Sequence, residues 1–349
     1  MKQINPRIRR RAVRQLLILP IGAIAAIAYY LLQSAINGET STPGRLLETA
    51  AVGMLVALLA SMFEVLFLPS RAGASVRRMP FLSQLIIRIG IMCSAILAGL
   101  TLGNYFFNSA VTPDYWQELS ILTDLAVAFV ISLCVLLFLL MRDLVGQSAF
   151  TSFVLGRYFQ PVSEFRVFMF LDLVNSTSIA QQLGDRQTHA LISQFFFDIA
   201  TPLIEHEGET HRYIGDEIVV TWSAKTAFRN NNCVNAVFAI EDEIARVSHE
   251  YSDRFNLVPE FRAALHCGMI AAGECGEEKR EIVYFGDTVN TTARIQSLCR
   301  PLNRKILISS AVLDNLSPQN GIKFERLGPQ AIRGRDEAIE LFAPARDIS

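Results

Sequence analysis

Two aspartates stand in similar apolar frames, Asp172 in Phe170-Leu171-Asp172-Leu173 and Asp216 in Ile214-Gly215-Asp216-Glu217, and a polar segment, Gly286 to Arg294, follows them. Carboxylates brought close together repel unless they share protons or a cation, and Mg²⁺ with oxygen ligands and substrate phosphates is the natural occupant of such a pair. Leu173, Val174, Asn175, Ser176 and Thr177 lead from the first frame into a helix. Backbone N–H groups at that helix start favour a phosphate, with Ser176, Thr177 or Ser178 as cap. Asn290 and Arg294 are i, i+4 neighbours on a helix and so aim the same way. Each feature alone has a plain structural use, as a cap, a turn residue or a solvated helix face. In combination they suit phosphoryl chemistry on a nucleotide.

The elements that must carry these residues follow from the patterning after residue 166. Arg166 to Leu171 reads as a short buried strand, and Ser176 to about Glu207 as two helices broken at Gly184-Asp185. Thr210 to Tyr213 and Glu217 to Trp222 read as a hairpin with Gly215-Asp216 at its tip. A helix over 230–249 follows, then a strand from Glu260 to Ile270, a strand and turn over 281–286, and a helix from Thr288 to Cys299. Short strands close the chain near 305–309, 322–327 and 338–342. This βαββαβ order with extra strands predicts a ferredoxin-like α+β domain over 166–349, with helices on one face of the sheet.

The first half of the chain has another character. The chain has 349 residues, 51% of them hydrophobic, and a net charge of −1. Four stretches, 16–36, 46–68, 85–107 and 119–141, are each about twenty mostly apolar residues, the length that crosses ~30 Å of hydrocarbon. A domain of four transmembrane helices over 1–141 is therefore expected. Lys2, Arg7, Arg9, Arg10, Arg11 and Arg14 precede the first stretch, and Arg71, Arg77 and Arg78 lie between the second and third. The other loops hold Glu39, Arg45 and Glu48, then Asp114 and Glu118. The positive-inside rule puts both termini in the cytoplasm, making this a multi-pass protein of the inner (plasma) membrane with its polar domain in the cytosol.

Glu64 and Arg88 lie near the cytoplasmic ends of their spans and are expected to pair or to anchor at the interface. Gly99 and Gly103 fit a small-xxx-small contact, a candidate dimer face. Residues 142–165 read as a helical coupling linker, with span four continuing as helix until Pro161 stops it. The six cysteines show no zinc spacing, and all five histidines fall in the second half, which argues against haem held in the spans. The outer loops are too short for an outside domain. A signal would have to be a small lipophilic ligand, membrane lipid or another membrane protein, and nothing suggests nucleic acid.

From about 166 to 343 the chain resembles the class III nucleotidyl cyclases, the adenylate and guanylate cyclases. The resemblance lies in Phe170-x-Asp172-x-x-x-Ser176-Thr177, Gly215-Asp216-Glu217, the Gly286 to Arg294 segment and Arg333-Gly334-Arg335. Gly156 to Pro161 also looks like the lead-in of membrane-anchored bacterial members. The resemblance implies that Asp172 and Asp216 bind two Mg²⁺ or Mn²⁺ ions per active site, and that Asn290 and Arg294 act on the transition state from the opposite protomer of a homodimer. It implies that Arg335 lies near the triphosphate. Members making cyclic AMP usually carry Lys and Asp at the base-selecting positions, where this chain has Arg212 and Val283. The expected activity is an adenylate cyclase acting on ATP. The alternatives are a guanylate cyclase of the same mechanism and a non-catalytic nucleotide-binding membrane receptor. A diguanylate cyclase is disfavoured, since Ile214 replaces the first glycine of that family's signature.

Overall fold

The computed structural model describes residues 6–37, 42–68, 73–77, 79–107, separate positions between 126 and 141, and 145–318, 321–335 and 337–346. It divides into two compact units, Met1–Val145 and Gly146–Ser349.

The first unit contains helices α1 (Pro6–Asn37), α2 (Pro43–Met62, continued by a π-helical turn at Phe63–Phe67) and α3 (Phe81–Phe107). Glycines let their backbones meet. A Cβ on Gly22 would lie 2.6 Å from the Gly53 carbonyl oxygen, and one on Gly53 would lie 2.5 Å from that of Gly22, so α1 and α2 touch where neither has a side chain. Gly99 of α3 is pressed against Val56 of α2 in the same way. Its small surface is thus spent inside the unit, not left open as the expected dimer face. Among the described residues, one segment, Phe81–Gly99, is long and apolar enough to cross a bilayer, with a mean hydropathy of 1.9; only 17% of its window is buried, and α1 carries a shorter apolar stretch, Leu19–Leu32. Most of the expected fourth span and the side chain of Glu64 lie outside the described residues.

The second unit is built on an eight-stranded sheet of β1 (Val162–Leu173), β2 (Glu209–Ile214), β3 (Glu217–Ser223), β4 (Phe261–Cys275), β5 (Glu281–Phe285), β6 (Ile306–Ser309), β7 (Ile322–Gln330) and β8 (Ile339–Arg346). The order is β2-β3-β1-β4-β6-β8-β7, with β5 also paired to β4. The β4–β6 pair is parallel and the other pairs are antiparallel.

Strand β1 explains the layering. Val167 through Leu171 are all buried, so the strand is covered on both faces. On one side Val167, Met169 and Leu171 pack with α6 (Asp185–Glu205), α7 (Asn232–Arg246) and α8 (Ser248–Phe255), through Leu191, Phe195, Val237 and Tyr251. On the other side Phe168 and Phe170 meet Ala149 and Phe153 of α4 (Gln147–Val154) and Val289 and Ala293 of α9 (Asp287–Leu298). The expectation of helices on one face is thus corrected. An unbroken apolar run at period one needs cover on two sides, and α9 supplies the second.

The lead-in segment is also corrected. Gly146 has φ +92° and interrupts the helix, α4 ends at Val154 well before Pro161, and Tyr158 is buried against the sheet. The backbone N–H of Glu274 donates to the Tyr158 carbonyl at 3.0 Å. Beneath it, Arg166 is 4% exposed. Its Nε donates to Glu164 Oε1 at 2.7 Å and its Nη1 lies 3.2 Å from Glu209 Oε2, while the Tyr158 hydroxyl donates to Glu164 at 2.9 Å. The guanidinium also lies over the Tyr284 ring, 5.0 Å from its centroid. One buried cation therefore ties the lead-in segment, β1, β2 and β5 together. Replacing it (Arg166→Ala) leaves the Glu164 carboxylate without its buried partner and is expected to destabilise the second unit by about 3 kcal/mol, read as a shift in urea midpoint.

Candidate active site

Asp172 ends β1 opposite Glu217 of β3, and Asp216 occupies the two-residue tip of the β2–β3 hairpin beside Gly215, whose φ of +63° a side chain would oppose. The hairpin folds its tip back over the end of β1 and brings the two aspartates together. The Asp172 carboxyl is pushed up to about 6, first by burial and then by the hydrogen bond and charge of Asp216; the Leu173 N–H and the Gln296 amide oppose the rise. Gln296 Nε2 donates to Asp172 Oδ2 at 3.5 Å. Burial, then Asp172 and Asp216, push Glu217 up to about 7. Negative charge is crowded here, and among the described residues no ion pair with Asp172, Asp216 or Glu217 relieves it.

That crowding is the test of fit for a divalent ion. Among the described residues no group of three or more His, Cys, Asp or Glu could hold a metal by itself. Two aspartates suit a hard cation that takes one or two carboxylates and fills its remaining positions with water and phosphate oxygens.

Beyond Asp172 the chain turns through Asn175, in the left-handed conformation (φ 57°, ψ 30°), into α5 (Ser176–Leu183). Asn175 is therefore the cap position, without a side-chain cap bond, and Ser176, Thr177 and Ser178 are already helical. This corrects the expected cap. Asparagine tolerates the left-handed turn that a two-residue connection from strand to helix demands. Val174 N–H donates to the Glu260 carbonyl at 2.8 Å and the Leu173 side chain is in the core. The N–H groups open to a phosphate are those of the first turn of α5.

Helix α9 is seated by its threonines. Thr288, Thr291 and Thr292 are buried, and the Thr288 hydroxyl donates to the Met269 carbonyl at 3.0 Å. Gly268 makes room, since a Cβ there would lie 2.6 Å from that hydroxyl. At about 100° per residue, Gln296 points about 200° away from Arg294 around the helix axis. One face of α9 reaches its own chain's Asp172, while Asn290, exposed, and Arg294, half-buried, look elsewhere. Asn290 and Arg294 are thus together, but not turned to the aspartates of their own chain. The Arg294 guanidinium lies against Gly334, where a Cβ would come within 3.2 Å of Nη1. Arg335 sits 3.4 Å from Asp287 at the start of the same helix, and Thr291 donates to that carboxylate at 3.2 Å.

The base-selecting positions are arranged differently from what spacing alone suggests. Strand β2 shifts register between Thr210 and Arg212, leaving His211 as an extra residue. The His211 ring packs against that of Tyr284 at a tilt of 52°, with centroids 4.7 Å apart, and Arg212 pairs with Glu281. Val283 lies opposite Gly273 in the β4–β5 pair. Gln296, Glu217 and Glu281 were not singled out from the sequence. The hairpin register could have found Glu217, and alternation with Val283 could have found Glu281. Gln296 carried no signal before the position of α9 was known.

This constellation, a carboxylate pair at a sheet end with an amide and a guanidinium on an adjoining helix, is of a kind that suits phosphoryl chemistry on a nucleotide. The chain belongs to the adenylate and guanylate cyclase catalytic domain family, matched over residues 159–343. It is 41% identical over 202 residues to adenylate cyclase 2 of Rhizobium meliloti (strain 1021), a match covering 58% of this chain and 56% of that protein. Adenylate cyclase 1 of the same organism is 25% identical over 179 residues, covering 50% of this chain and 26% of the relative. The chain therefore spans about half of the first relative and a quarter of the second. A solved bacterial light-regulated adenylyl cyclase shares the fold with a TM-score of 0.53 at 17% identity, over 66% of this chain and 67% of that one.

The crowded carboxylates predict a pH signature. The folded values of Asp172 and Glu217, about 6 and about 7, exceed the ~4 of free acids, so the folded state binds more protons than the unfolded one. Their contribution to stability is complete below about pH 4 and is lost as the pH rises through about 6 and 7. In the metal-free protein, Asp172→Asn is expected to raise the denaturant midpoint at pH 8 and to leave it unchanged at pH 4. An equal effect at both pH values would count against the crowding.

Proposed function

We propose that this chain is a membrane-bound adenylate cyclase, converting ATP to 3′,5′-cyclic AMP and pyrophosphate at two equivalent sites, each shared between the protomers of a homodimer. The observation that carries this reading is the meeting of Asp172 and Asp216 at the end of β1, in a chain of the cyclase family. Divalent ions, Mg²⁺ or Mn²⁺, when held by that pair would lower the pKa of the ribose 3′-hydroxyl and polarise the triphosphate. The first-turn N–H groups of α5 receive phosphate oxygens. The 3′-hydroxyl gives up its proton to water, its oxygen bonds to the α-phosphorus, and the bond from that phosphorus to the oxygen bridging the β-phosphate breaks, releasing pyrophosphate. Asn290 of the other protomer orients the ribose, and Arg294 of that protomer balances charge on the α-phosphoryl group in flight.

Sharing of the site is supported by α9 itself, whose Gln296 reaches its own chain's Asp172 while Asn290 and Arg294 face away. Retention of all four residues argues against a non-catalytic nucleotide receptor. ATP is favoured over GTP because the relative with 41% identity is an adenylate cyclase. Membrane attachment is supported by the apolar Phe81–Gly99 helix together with the basic residues flanking the other apolar stretches. The four-span arrangement, with its N-terminus and catalytic domain cytoplasmic, is part of the same proposal. So is the division into a membrane domain (1–141), a coupling segment (142–165) and a catalytic domain (166–349).

Membranes containing the full-length chain are expected to make cyclic AMP from ATP with Mn²⁺, with product identification against GTP in parallel. Asp172→Ala abolishes this activity, and Arg294→Ala lowers kcat by about 10³-fold. Co-expressing Asp216→Ala with Arg294→Ala chains regains activity, because a mixed dimer holds one intact site; no recovery would count against sharing. Binding of nucleotide without cyclisation of either ATP or GTP would overturn the enzymatic reading. Separately, the chain is expected to stay with the membrane pellet after alkaline carbonate extraction, and release by carbonate would exclude a spanning anchor.

A further inference from the structure

Strand β1 and helix α9 meet along matched stripes. On the strand, the alternate residues Phe168, Phe170 and Asp172 share one face. On the helix, Val289, Ala293 and Gln296 stand at i, i+4 and i+7 and form one stripe. Phe168 and Phe170 pack with Val289 and Ala293 in one apolar cluster, and Gln296 Nε2 donates to Asp172 Oδ2 at 3.5 Å. The stripes cover similar lengths, about 10 Å of helix and about 13 Å of strand. The helix therefore changes from apolar to amide where the strand changes from phenylalanine to aspartate.

The amide is delivered from a fixed mount. Ile295 and Cys299, on either side of Gln296 in the chain, are fully buried, and Cys299 Sγ donates to the Ala263 carbonyl at 3.6 Å. Ala263 follows Arg262, the β4 residue level with Asp172. At the other end of the helix, Thr288 is tied to the Met269 carbonyl.

The residue type at this mount is selective. A carboxylate that is to hold a cation needs a partner that orients it without consuming its charge. Lysine or arginine at 296 would neutralise Asp172 and repel the cation, and glutamate would add a further carboxylate beside Asp172, Asp216 and Glu217. Leucine would continue the apolar stripe but offer Asp172 no donor. A glutamine amide donates and carries no charge. Ligating carboxylates are commonly held by such outer hydrogen bonds, whose loss costs about 10- to 100-fold in metal affinity.

Resting on the cyclase reading above, we propose that Gln296 is a positioning residue for the divalent cation: it orients Asp172 and so sets the metal affinity of the site on its own chain. It acts through Asp172 and not on the substrate. Arg294, two residues away on the same helix, serves the other site of the dimer. One helix thus orients a metal ligand in one site and balances charge in the next.

The test titrates Mn²⁺ into the full-length chain in detergent micelles with α,β-methylene ATP, whose carbon bridge resists cyclisation, and reads free Mn²⁺ by electron paramagnetic resonance. Gln296→Leu, which extends the apolar stripe, is expected to raise the Mn²⁺ Kd about tenfold, and Gln296→Lys to raise it further. In turnover with ATP, saturating Mn²⁺ recovers most of the rate that Gln296→Leu loses. Mixed dimers assign the effect to one site. With Asp216→Ala in one chain and Arg294→Ala in the other, the surviving site takes its aspartates from the Arg294→Ala chain. Adding Gln296→Leu to that chain raises the Mn²⁺ requirement, whereas adding it to the Asp216→Ala chain does not. An Mn²⁺ Kd unmoved by Gln296→Leu would overturn the proposal. So would an equal effect from either chain of the mixed dimer, since Gln296 would then only support α9 as a whole. A chain that cyclises neither ATP nor GTP, yet loses Mn²⁺ affinity in Gln296→Leu, would overturn the enzymatic reading and uphold the role of Gln296.

Discussion

Repulsion between two carboxylates at the end of β1 is the constraint around which the second unit is organised. Asp172 and Asp216 could ease it by moving apart, but the fold denies them that freedom. The β1–β3 register places Asp172 level with Glu217, the two-residue hairpin tip leaves no slack for Asp216, and β1 is clamped by apolar layers on both faces. The unfavourable charge is sustained by burial elsewhere, much of it in Leu191, Phe195, Ile199 and Trp222, all of them fully buried. A site that strains its own apo form in this way is suited to exchanging that strain for a bound cation.

Helix α9 is the second organising element, because it has work on every side. Its buried threonines fit against β4 at Gly268, Ile295 belongs to a third apolar cluster with Leu307, Ile332 and Leu341, and Gln296 touches Asp172. Gly334, at φ +77°, lies close against Arg294, whose Nη1 a Cβ there would approach to 3.2 Å. The arginine is therefore held between its own helix and a loop from the far end of the chain.

Much of this was legible in the sequence. Gly215-Asp216 between two strand-like runs announces the hairpin, Gly184 marks the break between α5 and α6, and the strands near 305, 322 and 338 are present. The two-sided layering lies in the period of the run from Val167 to Leu171, which marks a strand by its presence but its cover only by its lack of alternation. Residues apolar at every position imply cover on both faces. The helix expected up to Pro161 failed at Gly146, since the absence of proline says nothing about a glycine free to adopt positive φ. Among the site residues, Asp172 and Asp216 stand out through residue type and frame, whereas Asn290 and Arg294 stand out only through the family resemblance. Glu281 was hidden because its partner Arg212 is 69 residues away in sequence, and a cross-strand ion pair leaves no local pattern.

The burial of Tyr158 also has a consequence for where the second unit begins. Sealed beneath the sheet on Glu164 and Arg166, Tyr158 makes the segment before β1 part of the folded unit and not a tether to it, so trimming the chain past Tyr158 would uncover the face of β1 that Phe168 and Phe170 bury.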